Sequence, residues 1–210
     1  MPPVPPDSFD RFPARTYLIA AGLLGLAAVL LLGLAWLRGI PVIRMLRDPA
    51  SYYDYSPLSG IVSYAGILLM TSTAAVCAFA ARVGFRWREM LAGVALFSGY
   101  FALDDLFMLH EGVWPRLGIS EEVIMLGLAV ALLVILRAAR AQAAPGRVWG
   151  LYVALALMGG SILIDISLQS DHATMVEDVL KFTAIGTWAL FWAGVASIAV
   201  RVPAVCAVRS

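Results

Sequence analysis

The sequence is poor in charge, cysteine and histidine, and each scarcity excludes a class of protein. Only 14% of the 210 residues are charged, whereas a soluble domain carries roughly a quarter. A net charge of +1 leaves no basic face that would neutralise phosphates, so nucleic acid is excluded as an expected partner. Cys77 and Cys206 lie far apart without a CxxC motif. Neither a disulfide framework nor a thiolate metal site is therefore predicted.

Hydrophobic residues make up 61% of the chain and are gathered in six long runs. The runs cover residues 17–37, 58–81, 90–109, 123–136, 148–168 and 179–200. A bilayer core about 30 Å thick requires roughly 20 apolar residues per helix, and the short fourth run is lengthened by Arg137 and Arg140, whose side chains can snorkel. The sequence therefore predicts an all-α, polytopic membrane bundle of about six transmembrane helices over residues 16–201. A disordered, proline-rich tail (1–15) precedes it, and a short tail (202–210) follows.

The charges of the loops predict an orientation in the membrane. Arginines lie between the second and third runs, between the fourth and fifth, and after the sixth: Arg82, Arg86, Arg88, Arg137, Arg140, Arg147, Arg201 and Arg209. The opposite loops are acidic, and Arg38, Arg44 and Arg47 are the exception. The positive-inside rule places both termini and both tails in the cytoplasm. We expect a multi-pass protein of the cell membrane, with the bilayer as its partner and an unspecified oligomeric state.

Acidic residues and the two histidines gather at the predicted outer ends of the third and fifth helices. The third helix ends LDDLFMLHEG (103–112), and the fifth ends LIDISLQSDH (163–172). Because seven residues nearly complete two helical turns, Asp104 and Glu111 are expected to share one face of a continued third helix. Asp165 and His172 share a face of a continued fifth helix by the same arithmetic. The helices that follow open with Glu121-Glu122-Val123 and Glu177-Asp178-Val179, which suggests a weak parallel repeat.

Ionisable side chains inside hydrocarbon cost about 2.5–3.5 kcal/mol each and indicate function by default. The histidines His110 and His172, with the carboxylates Asp104 and Asp165, form the residue set of a divalent metal site. The expected metal is zinc, with iron or manganese as alternatives. Asp105 is expected to act as a free carboxylate base, with Glu111 as a second catalytic carboxylate.

Several residues also have ordinary structural explanations. Carboxylates in the first turn of a helix favour the helix dipole whatever their function. Lys181, the single lysine of the chain, follows Glu177 by four residues, which predicts an i,i+4 ion pair.

These residues favour a metal-dependent membrane hydrolase acting on a lipid or other apolar substrate at the outer leaflet. The HExxH and GxSxG motifs of well-known hydrolase families are absent. Three alternatives stay open at this point. The same carboxylates suit a proton or divalent-cation transporter or channel. The two histidines suit a bis-histidine haem protein, and a non-catalytic membrane subunit needs neither.

Overall fold

The fold consists of two compact units, Met1–Ser59 and Gly60–Ser210. A computed structural model describes residues 14–41, 53–56, 58–84, 86–142, 148–168 and 170–201. Most of the two predicted tails, and Arg44 and Arg47, lie outside these described residues.

The first unit contains one long described helix, α1, at Ala14–Leu37. It ends in a Schellman motif, in which the N–H of Gly39 donates to Trp36 O and the N–H of Ile40 donates to Ala35 O. The motif requires a left-handed residue, which Gly39 supplies with φ of 69°. The apolar run of α1 stays predicted as a membrane span.

The described residues of the second unit form five long helices. They are α2 (Ile61–Val83), α3 (Arg88–Phe107), α4 (Glu121–Gln142), α5 (Trp149–Ser167) and α6 (Asp171–Ala199). Between α3 and α4 lie a π-helical turn (Leu109–Val113) and a 3₁₀ turn (Pro115–Leu117). All five helices are long and apolar enough to cross a membrane, and the described residues contain no strand. The predicted all-α membrane bundle is confirmed, whereas its count of about six spans and its orientation stay predictions.

Two helix boundaries differ from those the sequence predicts, and both differences move site residues. Helix α3 ends at Phe107, because Met108 takes the left-handed conformation with φ of 50°. Helix α6 begins at Asp171, well before residue 179, because the Ser170 side chain accepts a hydrogen bond from Ala173 N at 3.3 Å as the N-cap.

The predicted shared helix faces are therefore wrong. Asp104 and Glu111 belong to different elements, α3 and the π-helical turn. Asp165 lies on α5, while His172 lies in the first turn of α6. The parallel repeat fails for the same reason, since Glu121 opens α4 but Glu177 lies in the second turn of α6.

The core of this unit lies where α2, α3, α5 and α6 meet. Helix α2 packs against α3 and α6, and α5 packs against α6. Leu91, Val94 and Trp192 are fully buried there, and the indole N–H of Trp188 donates to Ser98 Oγ at 3.1 Å. Helix α4 makes its main contacts with α3 and the π-helical turn, and these are sparse beside the contacts of the other helices. Space is therefore left between α4 and the rest of the bundle.

Candidate functional site

A cavity of about 340 Å³ occupies the space between α4 and helices α3, α5 and α6. This volume lies in the range of small-molecule pockets. Its apolar lining includes Met70, Phe97, Phe101, Met125, Leu128, Leu132, Leu155, Met158, Ile185 and Trp188. Its ionisable lining is Asp104, Asp105, His110, Glu111, Glu121, Asp165, Glu177 and Lys181. The cavity thus combines apolar side chains with a group of ionisable side chains.

The charged side chains lie at one end of the cavity, whereas the lining at the other end is apolar. Three helices each contribute a carboxylate and, eleven residues away, an apolar side chain: Glu121 and Leu132 of α4, Asp165 and Ala154 of α5, and Glu177 and Trp188 of α6. At 1.5 Å of rise per residue, the acidic rim and the apolar floor are separated by about 16 Å along the helix axes. The cavity is therefore acidic at one end and apolar at the other.

Asp104 and His110 form the shortest polar contact of the rim. His110 Nδ1 lies 2.6 Å from Asp104 Oδ2, and the backbone N–H of His110 donates to Asp104 Oδ1 at 2.9 Å. A carboxylate accepts hydrogen bonds, so the short contact places a hydrogen on Nδ1. The other ring nitrogen, Nε2, lies 3.4 Å from Glu111 Oε1. Asp104 is buried and His110 is mostly buried, which fixes the orientation of the imidazole.

The turn after α3 is what returns His110 to Asp104. Met108 is left-handed, and its N–H donates to the Asp104 backbone carbonyl. The chain then winds through the π-helical turn, whose Trp114 N–H donates to Leu109 O at 2.9 Å. The Trp114 indole N–H also donates to Tyr100 Oη on α3 at 3.0 Å. Both the backbone and a side chain therefore hold this turn against the helix that carries Asp104.

Asp105 forms an ion pair with Lys181 across α3 and α6, with Oδ1 and Nζ 2.8 Å apart. Two sequence-based assignments change as a result. Asp105 is not a free carboxylate, and the ion pair of Lys181 joins it to Asp105 rather than to Glu177. Sequence reasoning missed the pairing, although a single lysine and a neighbouring helix with an intramembrane aspartate were signals for it.

The cavity brings together most of the predicted site residues, but not all of them. Asp104, Asp105, His110, Glu111 and Asp165 all line it. His172 has an exposed side chain at the start of α6 and is not among the lining residues.

Of the potential metal ligands, the structure brings His110 and Glu111 together at the rim. Over the residues that the structure describes, no group of three or more His, Cys, Asp or Glu side chains is arranged to hold a metal ion. The predicted metal centre stays a prediction.

Carboxylates outnumber cations at the rim. Six of the lining side chains are acidic, while Lys181 and His110 are the basic ones. Asp104 and Asp105 are paired with these two, and Glu111 approaches His110. Within the described parts of the chain, Glu121, Asp165 and Glu177 have no ion-pair partner. The mouth of the cavity therefore carries excess negative charge.

The fold and the cavity define a class: a helical membrane protein with an amphiphilic, acid-rimmed cavity in its bundle. Residues 18–195 match the family described as Domain of unknown function (DUF8692). The match covers most of the chain, which belongs to this family. No curated protein and no solved structure matches it.

Proposed function

We propose that this protein is a membrane hydrolase in which His110, oriented by Asp104, activates water for attack on an amphiphilic substrate held in the cavity. The observation that carries the proposal is the 2.6 Å contact between His110 Nδ1 and Asp104 at the rim. With its hydrogen on Nδ1, the imidazole presents the Nε2 lone pair as a base. Asp104 then stabilises the imidazolium that forms, as carboxylates do in other hydrolytic sites.

The reaction balances with groups that line the cavity. A water molecule gives one proton to His110 Nε2, and its oxygen bonds to the electrophilic carbonyl carbon of the substrate. The bond to the leaving group then breaks, and the imidazolium returns the proton to that group. Lys181 lines the same cavity, and its positive charge favours the negative charge that develops on the carbonyl oxygen. In this assignment the base is His110 rather than Asp105.

A version with the expected divalent ion would use the same residues in other roles, because Nε2 of His110 would bind the ion and could not also act as the base. A metal-bound histidine ordinarily gives its other ring N–H to a carboxylate, which is the position that Asp104 occupies. His110 Nε2 and Glu111 would then be ligands, and the ion would lower the pKa of a bound water. Metal analysis of the purified protein separates the two versions. Metal that is lost in His110→Gln but retained in His172→Gln supports the ion at this rim.

The two histidines provide a matched test of the general base. We expect His110→Gln to lower the hydrolysis of an acyl ester such as p-nitrophenyl laurate, in lipid nanodiscs, by about 10²–10⁴-fold. The activity of the Asp104→Asn variant is expected to fall by a similar factor, because an asparagine amide can donate to Nδ1 and select the wrong tautomer of His110. His172→Gln changes the other histidine, which is exposed, and serves as the control with unchanged activity. Equal activity in all three variants would show that the pair of His110 and Asp104 has no part in the mechanism.

Cation transport is the second candidate, favoured by three lining carboxylates that have no ion-pair partner among the described residues. Glu121, Asp165 and Glu177 can bind a proton or a divalent cation at the rim. Proteoliposomes loaded with a pH-sensitive or metal-sensitive dye test this directly. Flux that Asp165→Asn abolishes, together with no esterase activity in the wild type, would favour the transporter over the hydrolase.

A further inference from the structure

One buried serine in the cavity lacks the hydrogen bond that comparable side chains have. Over the described residues of this unit, four polar side chains are buried: Thr73, Ser98, Asp104 and Ser161. Thr73 donates to Leu69 O, Ser98 accepts from Trp188, and Asp104 binds His110. Ser161, only 3% exposed, has no hydrogen-bond partner in the described part of the chain.

Buried polar groups in native proteins are nearly always satisfied, so an unsatisfied one calls for an explanation. Ser161 lines the large cavity, and a bound ligand is therefore in a position to supply the missing partner. Among the described residues, the indole N–H of Trp192 is a fully enclosed polar group without a partner, but Trp192 is not among the residues lining this cavity. Ser161 Oγ is not among the enclosed unpaired atoms, so it is open to the cavity, where a ligand or water can reach it.

The position of Ser161 defines where a ligand needs its hydrogen-bonding group. Asp165 of the rim lies four residues further along α5, about 6 Å along the helix axis. Met158 and Leu155, which lie one and two turns deeper, are apolar lining residues. Along this helix, the cavity therefore offers a carboxylate, then a hydroxyl one turn below, and then an apolar wall.

We infer that the cavity binds a single-chain amphiphile with a cationic, ammonium-type head at the rim. A hydrogen-bonding group about 6 Å below the head meets Ser161, and the chain lies against Met158, Leu155 and Trp188. The carboxylates Asp165 and Glu177, which have no ion-pair partner among the described residues, attract the cation. This inference names the substrate class for the proposed hydrolase and rests on that function only in calling the ligand a substrate.

Trp188 provides a built-in reporter, because it lines the floor of the cavity. Brominated amphiphiles quench tryptophan fluorescence on contact, so binding can be titrated in nanodiscs. Three bromododecyl probes with the same chain but a trimethylammonium, sulfate or maltoside head compare charges directly. A fourth probe carries an amide one helical turn's length below the ammonium. The expected order of affinity is ammonium with amide, ammonium alone, maltoside and then sulfate.

Single substitutions separate the two recognition elements. Asp165→Asn and Glu177→Gln are each expected to lower the affinity for the ammonium probes about fivefold and to leave the affinity for the maltoside probe unchanged. Ser161→Ala is expected to remove the preference for the amide, about tenfold. Glu89→Gln, in the first turn of α3 at the opposite end, and Ser197→Ala, an exposed serine of α6, are the controls.

Three results would overturn the inference. They are equal or tighter binding of the sulfate probe, an amide preference that survives in Ser161→Ala, or full quenching that persists in Trp188→Phe. Because Trp188→Phe removes a buried hydrogen bond, ligand-induced shifts in Tm of the wild type give an independent ranking of the probes. Tight binding of the ammonium probes without any hydrolysis would refute the proposed hydrolase function and would be consistent with this inference. Hydrolysis of neutral esters, with no preference for a cationic head, would support the proposed hydrolase function and overturn this inference.

Discussion

Replacing Asp105 by asparagine leaves the ammonium of Lys181 without its carboxylate inside the bundle. At the observed 2.8 Å, and with an effective dielectric constant of about 20, the direct attraction is about 6 kcal/mol. Dehydration of the two charges offsets most of it, and breaking a fully buried pair costs about 3–5 kcal/mol. The side chain of Lys181 is 32% exposed, so the cost here lies below that range.

A second, smaller cavity lowers the cost further. It measures about 40 Å³, and its lining includes Asp105, Lys181, Ser63 and Asp178. This volume is large enough for water, and Asp178 offers a second carboxylate to an unpaired ammonium. We therefore expect Asp105→Asn to lower the free energy of unfolding by about 2 kcal/mol, and Lys181→Met to lower it by a similar amount.

A double-mutant cycle isolates the pair from these other effects. The variant with both substitutions contains neither charge, so its loss is expected to fall short of the sum of the two single losses by about 1–2 kcal/mol. Unfolding in mixed micelles with increasing dodecyl sulfate, followed by tryptophan fluorescence, measures all four proteins. Asp178→Asn, which removes a carboxylate that forms no ion pair with the described residues, is the control and should change stability by less than about 0.5 kcal/mol. Additive losses, or an unchanged Asp105→Asn protein, would refute the reasoning.

Two further predictions concern packing and orientation. Gly84→Ala is expected to destabilise the protein by about 2 kcal/mol, measured as a lower Tm, because the added Cβ would collide with the Ala80 carbonyl and lie 3.0 Å from Ala199 O. In a chain with both cysteines replaced, Ser120→Cys is expected to react with an impermeant thiol reagent in intact cells, whereas Arg86→Cys reacts only after lysis.

Each of these two experiments has an internal control. Gly127 has no atom within 4 Å of a built Cβ, so Gly127→Ala should leave Tm unchanged or raise it; an equal loss at both glycines would show that the clash at Gly84 is not the cause. Labelling of Arg86→Cys but not of Ser120→Cys in intact cells would invert the predicted orientation.

The helical membrane fold was predictable because it depends on composition and run length alone. Lipid offers no hydrogen bonds to the backbone. A run of about 20 apolar residues with few charges therefore forms a helix, in which the backbone groups bond to one another. Intramembrane aspartates are costly wherever they lie, and the sequence therefore also pointed to Asp104, Asp105 and His110 as candidate site residues.

The partners of those residues depend on two local features of the backbone that helical periodicity does not predict. The left-handed Met108 ends α3 and turns His110 back onto Asp104, which replaces the predicted alignment of Asp104 with Glu111. The Ser170 N-cap starts α6 early and leaves His172 in an exposed first turn. Positive φ at a methionine is unfavourable by about 1–2 kcal/mol, so no propensity scale would have placed it there.

The sequence by itself determined that the chain crosses the membrane as helices and that its acidic residues cluster near the helix ends. Only the tertiary structure decided that Asp105 meets Lys181, that α4 makes few contacts with the other helices, and that Ser161 lines a cavity. The physical reason is the range of the interactions. The transfer of an apolar run into lipid and its backbone hydrogen bonds depend on that run alone and can be read along the chain. Ion pairs and cavities arise between helices, where the packing of distant residues sets each distance.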